Sequence, residues 1–162
     1  MRFIIFLLFV FNVALADQHI VDQENFEAWQ FACIEEQSQK ICDLRELVID
    51  PNTNEVVSYI SLGINPDNLT QMQIAFPHAV NLKSAVQLQI DDKEPIELKY
   101  AYCNQSACFI AEIIAENFVN LLKAGSTLQV KALLLDNREA TITYSLAGFT
   151  AGYNRLSTAV SS

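Results

Sequence analysis

The chain has 162 residues, 51% of them hydrophobic, with a mean hydropathy of +0.19 and 19 acidic against 10 basic residues, a net charge of −9. The acidic balance argues against a nucleic-acid binder, which needs a basic face to meet phosphate, and the apolar content excludes a disordered chain. A multi-spanning membrane protein is excluded too, because 14 of the first 16 residues are apolar and the remainder, at about 47% apolar, has the composition of an ordinary globular domain.

Those first residues read as an export signal. Arg2 supplies the positive start, Phe3 to Phe11 is an unbroken apolar run of nine, and Ala14-Leu15-Ala16 has the small-x-small pattern of a cleavage site before Asp17. Nine apolar residues are too few to span a bilayer core, which takes about twenty. Cleavage between Ala16 and Asp17 leaves nine basic and 19 acidic residues, a net −10 that favours solubility and repels anionic membranes.

Residues 17–25 are polar, include His19, and are expected to be a flexible lead-in. Residues 26–156 are expected to form a single β-rich domain. Phe26–Cys33 alternates Trp29, Phe31 and Cys33 on one side. Ile41–Ile49 follows, then a Pro51–Asn54 turn, a β-prone Val56–Leu62, and a turn at Asn65–Asn68. Met72, Ile74 and Phe76 alternate with polar or small neighbours, as do Val86, Leu88 and Ile90. Ile96, Leu98, Tyr100 and Tyr102 read as one further strand, and Phe109–Ile113 returns after a turn. Ile114, Phe118, Leu121 and Leu122 have the spacing of a helix face, with Gly125 as its expected C-terminal cap. Leu128, Val130, Ala132 and Leu134, then Ile142, Tyr144 and Leu146, give two more strand faces. Leu133-Leu134-Leu135 is apolar on both faces, which predicts either cover from the Phe118 helix or a surface for a partner. Phe149, Tyr153 and Leu156 have helical spacing that Gly152 weakens, and 157–162 is a polar tail. The pattern predicts a mainly β fold: an antiparallel β-sandwich or barrel-like domain with one or two short helices.

The four cysteines, Cys33, Cys42, Cys103 and Cys108, all lie in the exported part. Export makes two disulfides the default, and of three connectivities the local one, Cys33–Cys42 with Cys103–Cys108, is expected. A zinc site would want two to four residues between paired ligands, whereas the first pair has eight, and redox catalysis would want a C-x-x-C, whereas the second pair has four intervening residues.

No catalytic set emerges. His78 is the one histidine with a scaffold, no G-x-S-x-G occurs, and four glycines cannot make a phosphate loop. Glu35-Glu36 and Asp91-Asp92 are adjacent acids that a strand would point to opposite faces, and Asp136 with Glu139 falls at a turn. Neither a metal nor a cofactor is expected, and no enzymatic activity. A β-barrel pocket lined by Tyr100, Tyr102 and Tyr144 would instead make the protein a periplasmic small-ligand carrier.

The C-terminal run Ser145-Leu146-Ala147-Gly148-Phe149-Thr150-Ala151-Gly152-Tyr153 resembles the closing signature of the invasion-associated locus B family of exported bacterial proteins. Trp29 four residues before Cys33, Phe76-Pro77, the Cys103-x4-Cys108-x2-Ala111 spacing and Leu121–Gly125 fall in the family's order. The glycines usual in the family near Ser84–Ala85 and in the Asp92-Lys93 turn are missing here. The resemblance implies a β-rich periplasmic or secreted protein with virulence context, possessing no catalytic residues to carry over. It implies a protein partner in the cell envelope or on a host cell, in a binding or accessory role that assists host-cell entry.

Overall fold

The computed structural model describes residues 19–36 and 39–160; the signal segment and the Ala16–Asp17 cleavage position lie outside them. Eleven strands and two helices follow in order. They are β1 (His19–Phe26), β2 (Trp29–Glu36), β3 (Gln39–Ile49), β4 (Val56–Ile64), β5 (Thr70–Phe76), β6 (Val86–Ile90), β7 (Ile96–Leu98), β8 (Tyr102–Cys103), β9 (Cys108–Ile114), α1 (Glu116–Ala124), β10 (Thr127–Leu133), β11 (Glu139–Ser145) and α2 (Phe149–Val160). The strands form two antiparallel sheets. One has seven strands in the order β1-β2-β3-β4-β5-β9-β8, the other four in the order β11-β10-β6-β7.

The alternation read from the sequence sets the register. Phe31 and Cys33 on β2 lie beside Leu44 and Cys42 on β3, Ile60 on β4 faces Ile74 on β5, and Ile74 faces Ile110 on β9. All are buried, as are Leu88, Val130 and Leu128 of the smaller sheet. The two inner faces close over one another, while α2 covers the β1–β4 end of the larger sheet. Both cysteine pairs stand opposite each other across adjacent strands. Cys33 is bonded to Cys42 and Cys103 to Cys108, leaving no free thiol. The mainly β, two-disulfide, two-helix fold is the one expected.

Several local expectations need correction. The polar segment expected to be flexible is strand β1 from His19 onward, paired with β2 from His19↔Glu35 to Phe26↔Trp29. Its order comes from backbone hydrogen bonds and from Arg155 of α2, which forms ion pairs with Asp22 and Glu24, so hydropathy does not report it. Those charges, with a register irregularity between Ile20 and Asp22, also blunt an exposed sheet edge. The run Ile96–Tyr102 is not one strand: β7 pairs with β6 in the smaller sheet, β8 with β9 in the larger, and residues 99–101 cross between them.

In α1 the buried residues are Val119 and Leu122, while Ile114 ends β9 and Leu121 is exposed. Gly125 is extended rather than left-handed. A side chain there would meet Ile90 and Leu146, so space is what selects glycine. Gly152 does not weaken α2, because its bare Cα lets the helix seat against Leu44. The helix runs to Val160, so the expected polar tail is helical over most of its length. Leu135 is 68% exposed and so lacks the cover expected for Leu133–Leu135. The missing glycine of the Asp92-Lys93 turn is replaced by Asp91 at φ 48, with its carboxylate accepting from Ser126 and Thr127 N–H at 2.9–3.2 Å.

Candidate functional site

The Ser145–Phe149 run forms a seam between β11, α2 and the larger sheet. Trp29 Nε1 donates to the Ser145 carbonyl at 2.7 Å, and Ser145 N–H donates to Glu46 Oε1 at 3.0 Å. The Ala147 carbonyl accepts from Ala28 N–H. Leu146 is buried, and the Phe149 ring meets Trp29 edge-on at 5.0 Å. Gly148 has φ 85, and a Cβ there would lie 2.0 Å from the Phe26 carbonyl oxygen, so only glycine fits. This is packing and backbone accounting.

Glu46 sits on the inner side of β3 at the edge of the seam. Burial pushes its carboxyl up to about 7, opposed by the Ser145 N–H, and its second oxygen is buried without a hydrogen-bond partner among the described residues. Nearby Tyr144 is fully buried. Ser58 Oγ spends its proton on the Ala75 carbonyl at 2.6 Å, so the Tyr144 hydroxyl donates to Ser58 at 2.5 Å; burial holds that phenol well above its usual range.

The three tyrosines considered as a pocket lining are separated. Tyr144 is in the core. Tyr100 packs edge-on against Phe76 at 5.6 Å, with a hydroxyl that has no hydrogen-bond partner among the described residues and is pushed up to about 12 by burial. Tyr102 lies on the outside of the larger sheet, because the crossover at 99–101 turns the chain over. His78 is exposed, with Nε2 2.8 Å from the Asn104 carbonyl. The paired acids stay apart: Asp91 binds backbone amides, Asp136 pairs with Arg138 at 2.7 Å, and Glu35-Glu36 is exposed at a strand end. Among the described residues no three His, Cys, Asp or Glu side chains could hold a metal ion.

The outer face of the seven-stranded sheet carries an aromatic stack beside exposed aliphatic side chains. Tyr59, Phe109 and Tyr102 lie in neighbouring rows across it. Phe109 stacks on Tyr102 at 4.8 Å and tilts against Tyr59 at 6.4 Å. Gln73 locks the pair: Tyr59 OH donates to its Oε1 at 3.2 Å, and its Nε2 donates to Tyr102 OH at 2.6 Å. Beside this stack Ile41, Leu47 and Ile113 are 48%, 43% and 57% exposed. Asp43 holds Arg45 through two hydrogen bonds of 2.7 and 2.8 Å. The aromatic stack was hidden in the sequence because period-two alternation places Tyr102 beside Tyr100. Glu46 gave only the weak signal of an acid on the apolar side of a strand.

A family model described as invasion associated locus B (IalB) protein matches residues 29–157. The chain belongs to that family. Among solved structures it is similar to the crystal structure of invasion associated protein B from Bartonella henselae, with a TM-score of 0.75 and 23% identity, covering 83% of this chain and 94% of that one. No curated protein matches. The IalB match opens at Trp29 and closes within α2, the two partners that the seam joins, and leaves out all of β1. In this IalB chain the run Ser145 to Phe149 thus specifies how the fold closes.

Proposed function

We propose that this IalB-family chain is an exported, non-enzymatic binding or accessory protein of the bacterial periplasm or surroundings, and that it meets its partner with the outer face of the seven-stranded sheet. The observation that carries this reading is that face itself. It exposes aliphatic side chains from β3 and β9 beside an ordered aromatic stack, in a chain whose charge is otherwise strongly acidic. The apolar leader ending at Ala16 and the pairing of all four cysteines support export. Among the described residues no helix is long and apolar enough to cross a membrane. The solved relative is titled an invasion associated protein, which supports a role in host-cell entry. The small-ligand carrier reading loses its support with the separation of Tyr100, Tyr102 and Tyr144.

The test has two parts. N-terminal sequencing of the protein from fractionated source cells should begin at Asp17. The exported form, immobilised, should retain a component of envelope or host-membrane extracts, and Ile113→Lys or Leu47→Lys should abolish retention while Gln89→Lys on the smaller sheet leaves it intact. Retention insensitive to both outer-face substitutions would overturn the assignment of this face.

A further inference from the structure

Among the described residues the two sheets end in four edge strands, β1, β8, β11 and β7, and three of them are poor templates for further pairing. On β1, Asp22 and Glu24 are held by Arg155, and the register shifts between Ile20 and Asp22. β7 has three residues and follows Pro95, while β8 has two and is tied to β9 through the Cys103–Cys108 bond. β11 is the exception. It runs for seven residues with no proline, no lysine and no break in its register with β10.

The ladder shows which backbone groups of β11 are free. Leu146 N–H bonds to the Ser126 carbonyl and Leu134 N–H to the Arg138 carbonyl, so even-numbered positions of this strand turn their backbone groups to β10. Odd-numbered Ser145 turns its own away, to Trp29 and Glu46. Glu139, Thr141 and Thr143 therefore present their N–H and C=O groups outward. All three residues are exposed, and these backbone groups have no partner among the described residues.

We infer that β11 pairs with β11 of a second copy of this chain, antiparallel about a two-fold axis at Thr141, in a homodimer whose smaller sheets run on into each other. A row of open N–H and C=O groups is complementary to another extended backbone, which sets the kind of occupant. The sequence of the row favours its own copy. Ser145 is already spent, so the free run is 139–143, and its antiparallel pairing with itself centres on Thr141. Glu139 then stands opposite Thr143 of the second copy, a carboxylate beside a hydroxyl. Thr141 stands opposite Thr141, a pair that strands favour. On the inner side Ala140 meets Ile142, a small residue against a large one, and the half-buried Ile142 gains cover that its own chain leaves incomplete. No like charges face each other, since Glu139 is the one charged residue of β11. A two-fold pair consumes both edges, so the assembly closes. The inference goes beyond the outer-face reading and is independent of it: it uses the smaller sheet, and it would carry two outer faces in one assembly.

The experiment is sedimentation equilibrium of the disulfide-bonded exported form, which should rise with concentration from monomer to dimer mass and no further. Thr141→Lys sets two ammonium groups opposite each other and should weaken the dimer about tenfold or more. Thr141→Pro should do the same by removing the central N–H, which the fold itself does not use. Should either variant fail to fold, Thr141→Cys reads the register directly. Its two Cα atoms would lie about 5.5 Å apart across the axis, within disulfide reach, so mild oxidation should link the copies. Thr143→Cys should not link them, because four residues of strand put the two sites about 13 Å apart. A monomer at every concentration up to about 100 μM overturns the inference. So does a dimer insensitive to both Thr141→Lys and Thr141→Pro, or linkage through Thr143→Cys in place of Thr141→Cys. A dimer that Ile113→Lys or Leu47→Lys dissociates overturns it as well, by placing the self-contact on the larger sheet. Retention from extracts is a separate readout, so either reading can fail while the other stands.

Discussion

The seam around Ser145–Phe149 and the outer face of the seven-stranded sheet are opposite kinds of surface within one molecule. In the seam, each group is spent on another part of the chain: Trp29 on Ser145, Ser145 on Glu46, Ala28 on Ala147, and Gly148 on the approach of Phe26. On the outer face, Ile41 and Ile113 keep exposed carbon. The difference teaches that the run Ser145–Phe149 is where the fold closes. The surface proposed for a partner lies elsewhere, on residues with no local motif.

Substitutions can sharpen that contrast, because seam changes should cost stability and outer-face changes should cost binding. The largest effect is expected from Gly148→Ala. It forces a side chain into a left-handed backbone and against a carbonyl, and should destabilise the protein by about 3 kcal/mol or more in urea unfolding. Removing the Cys33–Cys42 bond by the double change to Ser should cost about 2–3 kcal/mol. Non-reducing peptide mapping of the native protein should show that pair and Cys103–Cys108.

Glu46→Gln comes next, and its sign runs the other way. The folded carboxyl titrates near 7, above its value of 4.5 in an open chain, so folding takes up a proton between those limits. The contribution of this carboxyl to stability is therefore greatest below about pH 4.5 and falls as pH rises through 7. Glu46→Gln should flatten this slope and stabilise the protein at pH 8 by on the order of 1 kcal/mol, a figure reduced for partial solvent screening. Thermal unfolding at pH 5 and pH 8 measures it. A steeper loss of stability toward acid than toward base in this window would contradict the buried placement of the carboxyl. The smallest effect on stability, within about 0.5 kcal/mol, is expected from Ser61→Ala and Gln71→Ala, which alternate with the buried Leu62 and Met72 and so lie on the outer face.

The sequence made the core legible where strands are buried on one face only. Met72-Ile74-Phe76 and Val86-Leu88-Ile90 alternate cleanly, and the structure buries each of those side chains. It hid β1, whose pairing is a backbone matter and whose side chains are acids held by Arg155. It hid the crossover between β7 and β8, since alternation carries on through residues that change sheet. The same crossover concealed the Tyr59–Phe109–Tyr102 stack, and with it the face proposed as functional. Gly152 misled for a related reason: helix propensity counts the cost of a glycine but not the room it gives Leu44. The export signal expected from the composition of the first sixteen residues falls outside the described residues.

The central claim, that the contact surface is the outer face of the larger sheet and not the seam, is tested most directly by mapping amide chemical shifts of the labelled protein as the component retained from extracts is added. The account predicts shifts concentrated at Asp43, Ser61, Gln71, Gln73 and Ala111. Shifts concentrated at Ser145–Phe149, or on Gln87, Gln89 and Gln129 of the smaller sheet, would contradict it.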